Sequence, residues 1–287
     1  MRKCAVRLSA GLMLLFAAAS ARATVLVADF NDLTAGAING KSGGTGWTGS
    51  WTGSAGGTVA SNDLTSPLYS VPQSGTPLRY RSVNSTGLRQ NYRTPAASPT
   101  GTIWFSYLAE AEATGDRAGV SINPPTLTPF NDTGTAYAYL IGNTLTYQFG
   151  TGTAGTAAAG PTGSTNLIVG KVVLNGGVGG ADPVTLWLNP DLVANPDITA
   201  YTPVYDNASV DWINSIATVG AVAARADGGS TGGGDVDNIR FSDGGGNAAQ
   251  AYTDVTGVSA PEPAGLALLA AATAATLARR RRRAAKA

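Results

Sequence analysis

Pro183-Val184-Thr185-Leu186-Trp187-Leu188-Asn189 alternates strictly, with Val184, Leu186 and Leu188 on one side and Thr185, Trp187 and Asn189 on the other. A period of two marks a β-strand, because successive side chains leave a pleated backbone on opposite faces. Just upstream, 167–174 is a nearly continuous apolar run of strand length, as expected of a core strand. The same reading extends outward. Segment 24–30 opens the chain's body as a strand, with Val25 and Val27 facing one way and Leu26 and Ala28 the other. Segment 102–108 is apolar on both faces and is expected at the centre of a sheet. Strands are also expected over 117–122, 136–141, 143–149 and 235–241, the last closing the sheet, and 210–223 is read as a strand although part of it fits helical spacing. Gly, Pro, Asn and Asp separate these runs, and apolar runs of helical period are nearly absent. The expected class is all-β, an antiparallel two-sheet β-sandwich spanning 24–257 as one unit with no dividing linker.

Composition removes several chemistries. The chain has one cysteine, Cys4, and no histidine. Ser-His-Asp and Cys-His catalysis and His-ligated zinc or copper are thereby excluded, as are disulfides in the body. Residues 24–260 carry nine basic and 17 acidic side chains, a net charge of −8. That balance argues against nucleic acid as a partner.

Three groups are candidates for chemistry. Trp47 and Trp51 lie in the Gly/Ser/Thr-rich stretch 41–57, expected as a loop, where they either stack on sugar rings or plug the sandwich end. Residues 78–83 and 87–93 read as a hairpin whose one face carries Arg79, Arg81, Arg89 and Arg93. Such a stripe either meets an anionic polysaccharide or is a solvated face paired with nearby acids. Glu110 and Glu112 stand at i, i+2 after the central strand. Paired carboxylates serve glycoside hydrolysis when about 5–5.5 Å apart, although the stretch Ala109-Glu110-Ala111-Glu112-Ala113 has no aromatic beside them and also reads as exposed edge charges. The Gly/Ala/Thr segment 150–164 is read as a loop.

The two ends share a different character. Arg2, Lys3 and Arg7 precede an apolar run over 8–19 and the small-x-small triplet Ala21-Arg22-Ala23, the pattern of a secretory signal peptide over 1–23. The mature chain then begins at Thr24. At the other end, Pro261-Glu262-Pro263 precedes the uncharged run 264–278 and then Arg279, Arg280, Arg281, Arg282 and Arg283. Prolines bar helix until after 263. Fifteen helical residues reach roughly 22 Å, a short membrane span helped by snorkelling arginines, with the basic end held on the cytoplasmic side.

Segment 258–287 resembles the PEP-CTERM sorting signal of Gram-negative bacteria. The resemblance implies an exosortase that cleaves the tail, export by the secretion machinery, transient anchoring in the inner membrane, and a destination at the cell surface or in extracellular matrix with exopolysaccharide and biofilm. Within the body, Ile168-Val169-Gly170-Lys171-Val172, the stretch from Asp182 to Pro190, and Val236-Asp237-Asn238-Ile239-Arg240-Phe241 resemble concanavalin/laminin-G-like domains. That likeness implies a jelly roll of about a dozen strands. Since related sandwiches often hold calcium between the first strand and a late one, the likeness also makes Asp29, Asp32 and Asp237 candidate calcium ligands, the alternative being that they serve structural hydrogen bonding; no other cofactor is expected. The expected function is a non-enzymatic surface or matrix protein that associates with glycan. The alternative is a secreted glycan hydrolase using Glu110 and Glu112.

Overall fold

A computed structural model describes residues 23–53, 55–68, 75–82, 89–123, 136–150, 154–175, 177, 180–210, 216–224 and 233–260. The leader expected at the N-terminus and the tail from 261 onward lie outside the described residues. What is described is a sandwich of two antiparallel sheets.

The larger sheet has the order β14 (Tyr205–Asn207), β13 (Val184–Leu188), β12 (Asn166–Val173), β7 (Thr102–Ala111), β16 (Gly234–Ser242), β5 (Leu78–Ser82), β4 (Gly57–Ser61) and β2 (Gly36–Ala37). A ninth strand, β1 (Val25–Ala28), shares one edge of β16 with β5. The second sheet runs β11 (Gly155–Ala158), β10 (Thr144–Gln148), β9 (Ala136–Ile141), β8 (Arg117–Ile122), β15 (Val219–Ala224), β6 (Arg89–Pro95) and β3 (Trp47–Gly53). One helix, α1 (Ala248–Thr256), follows β16 and lies on the larger sheet.

Alternation places the core. On β7, Ile103, Phe105, Tyr107 and Ala109 point between the sheets and join Phe241, Ile168, Leu186, Val120 and Leu140 in the main apolar cluster. Phe105 stacks on Phe241 with ring centroids 5.3 Å apart. The opposite set, Trp104 and Leu108, faces outward and is covered by α1 and the 190–203 connection, forming a second cluster with Leu167, Val169, Trp187, Ile198, Tyr252 and Val255. Both faces of β7 and β12 are therefore buried, which is why their sequences are apolar throughout.

The strands expected over 117–122 and 136–141 have those bounds, and 102–111 is central as expected. Four readings are corrected. The segments 78–83 and 87–93 do not form a hairpin: β5 pairs with β4 and β16 in the larger sheet, whereas β6 pairs with β3 and β15 in the other. Trp47 and Trp51 sit on a strand rather than in a loop. Part of the 150–164 segment is the edge strand β11. The 235–241 stretch does not close the sheet; it is interior, flanked by β7 on one side and by β1 and β5 on the other.

Candidate functional site

The outward face of the larger sheet carries the chemistry. Register sets one row across four strands: Trp104 on β7 pairs with Lys171 on β12, Lys171 with Thr185 on β13, and Thr185 with Asp206 on β14. Trp187 stands two residues beyond Thr185 on the same side of β13. Its ring stacks on that of Trp104 at 5.7 Å and 17°, and Tyr252 from α1 meets Trp104 edge-on at 5.0 Å and 70°. The Lys171 ammonium lies 5.7 Å from the Trp104 ring centroid, a cation–π distance.

These residues floor a cleft of about 460 Å³, walled by the 197–203 segment on one side and by Ala248, Ala249 and Tyr252 of α1 on the other. That volume falls within the ~300–1,000 Å³ usual for small-ligand clefts. Local chemistry fixes the walls. Trp187 Nε1 donates to the Tyr201 carbonyl at 3.2 Å, and Tyr252 Oη donates to the Pro196 carbonyl at 2.7 Å. Burial pushes the Tyr252 hydroxyl up to about 12, so it remains a protonated donor. Asp197 caps the turn over Ile198–Ala200 by accepting from Thr199 N at 3.0 Å. At the rim, Thr185 Oγ1 donates to Asp206 Oδ1 at 3.0 Å. Trp104 Nε1 is buried without a hydrogen-bond partner. The lining therefore offers the Lys171 ammonium, the Asp197 and Asp206 carboxylates and the hydroxyls of Thr185, Thr199, Tyr201 and Tyr252 around an aromatic floor.

A charged network occupies the same face further along. Asp235 on β16 lies opposite both Arg81 and Glu110. Arg79 Nε is 2.9 Å and Arg81 Nε 3.3 Å from Asp235 Oδ1, ion-pair contacts without hydrogen-bond alignment, and Asp235 Oδ2 has no hydrogen-bond donor either. Arg81 also pairs with Glu112. Asp235 is wholly buried. Burial raises its carboxyl to about 6 against the opposing pull of Arg79 and Arg81. Glu110 accepts a hydrogen bond from Thr165 Oγ1 at 2.9 Å. Neither glutamate lines the aromatic cleft.

The other candidates separate. Arg93 is on the second sheet, 4% exposed, with its guanidinium 5.7 Å from the Trp47 ring and 5.9 Å from the Trp51 ring. It donates to the carbonyls of Gly43 and, at 2.6 Å, Gly49. Trp51 is 1% exposed and packs on Phe30 at 5.6 Å. Trp51 is thus part of the core and the half-buried Trp47 packs against it, with the Arg93 guanidinium over both rings. Nothing is described of the Arg89 side chain. The arginines expected on one face belong to two sheets.

Asp29 and Asp237 do approach each other, in the gap where β1 and β5 share the edge of β16, and Asp63 joins them. The ladder between β7 and β16 shifts register between Asp237 and Arg240, and Asn238 there has φ 52°. Burial and the neighbouring Asp63 charge hold the Asp237 carboxyl well above the usual range, and burial raises Asp29 and Asp63 as well. Each is organised by N–H donors: Leu64 N and Asn238 N to Asp237 at 3.0 and 2.6 Å, Asn31 Nδ2 to Asp63 at 3.3 Å and Asn31 N to Asp29 at 3.4 Å. Asp32 is exposed and accepts from Gly44 N at 2.5 Å. A hard cation needs six or more oxygens around one point, and among the described residues no group of three or more Asp, Glu, His or Cys is arranged to hold a metal.

The cleft itself was not among the residues singled out in the sequence. The alternation of 183–189 put Trp187 and Thr185 on one face, but nothing in sequence placed Trp104 two strands away beside them.

No family model matches the chain, and no curated protein matches it. Among solved structures, an alginate lyase in complex with alginate tetrasaccharide shares 13% identity over 76% of this chain and 96% of that one, with a TM-score of 0.41. A protein of unknown function from Shewanella oneidensis MR-1 shares 12% identity over 77% of this chain and 86% of that one, TM-score 0.45. The carbohydrate recognition domain of Emp46p, potassium-bound, shares 7% over 57% and 82%, TM-score 0.37. Each TM-score is below one half, so these likenesses bear on no ligand. The two-sheet sandwich is established by the chain's own strand pairing.

Proposed function

We propose that this chain is an exported, surface-sorted protein whose sandwich binds a neutral glycan, without cleaving it, in the cleft over Trp104 and Trp187. The observation that carries the reading is that cleft: an aromatic floor with hydroxyl and carboxylate groups at the rim, the combination that meets the apolar face and the hydroxyl edge of a sugar ring. Asp197 and Asp206 outnumber Lys171 there, and the body is acidic, so uronate or sulfate groups meet like charge. Of the candidate arginines, Arg79 and Arg81 are engaged with acids and Arg93 with carbonyls. Export and exosortase sorting rest on the leader and on the PEP-CTERM-like tail.

The hydrolase reading loses support from the same geometry. Glu110 is held by Thr165 and Glu112 by Arg81, away from the cleft, and Asp235 is enclosed beneath its arginines. The test is binding of neutral and uronate oligosaccharides to the purified full-length chain in detergent, with reducing ends assayed alongside. Neutral oligomers are expected to bind without being cut. Asp206→Ala and Thr185→Ala, both at the rim, are expected to weaken binding by about two- to tenfold, the net worth of one hydrogen bond. Glu110→Gln and Glu112→Gln should leave it unchanged. Binding of no glycan, or release of reducing ends that stops in Glu110→Gln, overturns the proposal.

A further inference from the structure

The first residue after the expected leader ends on a buried carboxylate. Thr24 N lies 2.8 Å from Asp243 Oδ1, just before β1 pairs with β16, and Asp243 N reaches back to the Thr24 carbonyl at 3.3 Å. Asp243 is 5% exposed. Its other contacts are backbone N–H groups as well, Gly245 N at 2.9 Å on Oδ1 and Thr100 N at 3.1 Å on Oδ2. The ion pairs of Arg79 and Arg81 are with Asp235 and Glu112 and do not involve Asp243, whose described partners are backbone N–H groups. A buried carboxylate without a counter-charge is costly even when hydrogen-bonded. Ala23, on the other side of the scissile bond, is exposed.

We infer that Asp243 is the binding site for the α-ammonium that leader removal creates at Thr24. Hydrolysis of the Ala23–Thr24 peptide bond adds water across it: Ala23 leaves with a carboxylate, and the Thr24 amide nitrogen becomes an amine that is protonated at neutral pH. The same atom, at the same 2.8 Å, then faces Asp243 as a cation rather than as a neutral donor. A hydrogen bond becomes a charge-assisted ion pair. It closes β1, a four-residue strand whose Leu26 and Ala28 lie in the core, onto the end of β16. Maturation therefore adds a charged clamp to a strand pairing that the unprocessed chain already makes without the counter-charge.

Two chains test this, both running to Ala287 and kept in detergent. One begins at Thr24 with a free amine, and the other keeps Arg22-Ala23 in front of it; each is made with Asp243 and with Asp243→Asn. The chain beginning at Thr24 is expected to have an unfolding equilibrium constant about five- to thirtyfold smaller, a ratio equivalent to one or two kcal/mol, and Asp243→Asn is expected to level the pair. Equal stability of the two Asp243 chains overturns the inference, as does a gap that survives Asp243→Asn. Intact mass of the exported protein gives a second reading, with Thr24 expected first; any other first residue overturns it. Should Asp243→Asn fail to fold, reductive methylation of the native chain decides: slow reaction of the α-amine relative to the unfolded chain supports the ion pair, and equal rates overturn it.

Discussion

Asp235 couples the charged network to pH. Its folded carboxyl is raised to about 6, first by burial and against Arg79 and Arg81, from an ordinary value of 3.8. The folded state thus holds this proton more tightly than the unfolded state does. Stability from this group is greatest below the unfolded value and falls as pH rises from about 4 to about 6, then levels. Asp29, Asp63 and Asp237 are raised too and act in the same direction. Thermal unfolding followed from pH 4 to 7 should therefore show a midpoint that declines with rising pH, opposite to a protein stabilised by salt-bridged carboxylates of depressed pKa. Asp235→Asn should flatten the part of that decline below about pH 6. A midpoint that rises across this range would contradict the account of a carboxyl dominated by its burial. The arginines show what sequence conceals at this scale. Their alternation was visible, and it does put Arg79 and Arg81 on one side of β5. Whether a charged face meets solvent or an acid is decided by Asp235, more than 150 positions away in the chain.

At the scale of elements, β7, β12 and β16 form the sheet's interior, and their packing requires one missing side chain. Gly170 on β12 pairs with Phe105 on β7, and a Cβ at Gly170 would stand 2.0 Å from Phe105 Cζ. The ring cannot withdraw, since it is stacked on Phe241. Gly170→Ala is expected to destabilise by about 1–3 kcal/mol, the usual cost of overpacking, measured by denaturant unfolding. Adding Phe105→Leu should recover part of the loss, because neighbours in contact couple; purely additive effects would mean that the ring is not the obstacle. The strands that sequence revealed are those with dense β-branched or aromatic alternation, such as β8, β9 and β13. The edge strand β11 was not legible, because Gly-Thr-Ala-Ala has weak strand preference and is held by its pairing with β10. The hairpin over 78–93 was misread because a period of two identifies a strand but not its partner. Helix α1 was also missed: it spans nine residues, although Asn247 as N-cap and Gly257 at φ 72° are conventional signals.

For the whole molecule, the contrast lies between an acidic sandwich and a tail of opposite character. The outer apolar cluster is closed by α1 and the residues just after it, with Val258 and Ala260 packed against it. Ala260, which also lines the cleft, directly precedes Pro261. Among the described residues no helix is long and apolar enough to cross a membrane, and the proposed sorting assigns attachment to the apolar run 264–278 and the five arginines behind it. Under the proposed sorting, removing 261–287 should move the protein from the membrane fraction to the soluble one while leaving its unfolding midpoint within about 2 °C, since both described apolar clusters are kept whole and less than about 1 kcal/mol is expected to be at stake. Replacing the arginines at 279–283 with serine should have an intermediate effect, because the apolar run persists but loses its anchor on the cytoplasmic side. Fractionation of the native host with a tag inside the sandwich separates the cases. If the intact chain is found soluble in the cytosol with both ends uncut, the tail is not an address and the sandwich is not exported. If the truncated chain stays with the membrane, the sandwich itself binds there, and its acidic surface makes a protein or glycan partner, not anionic lipid, the object to look for.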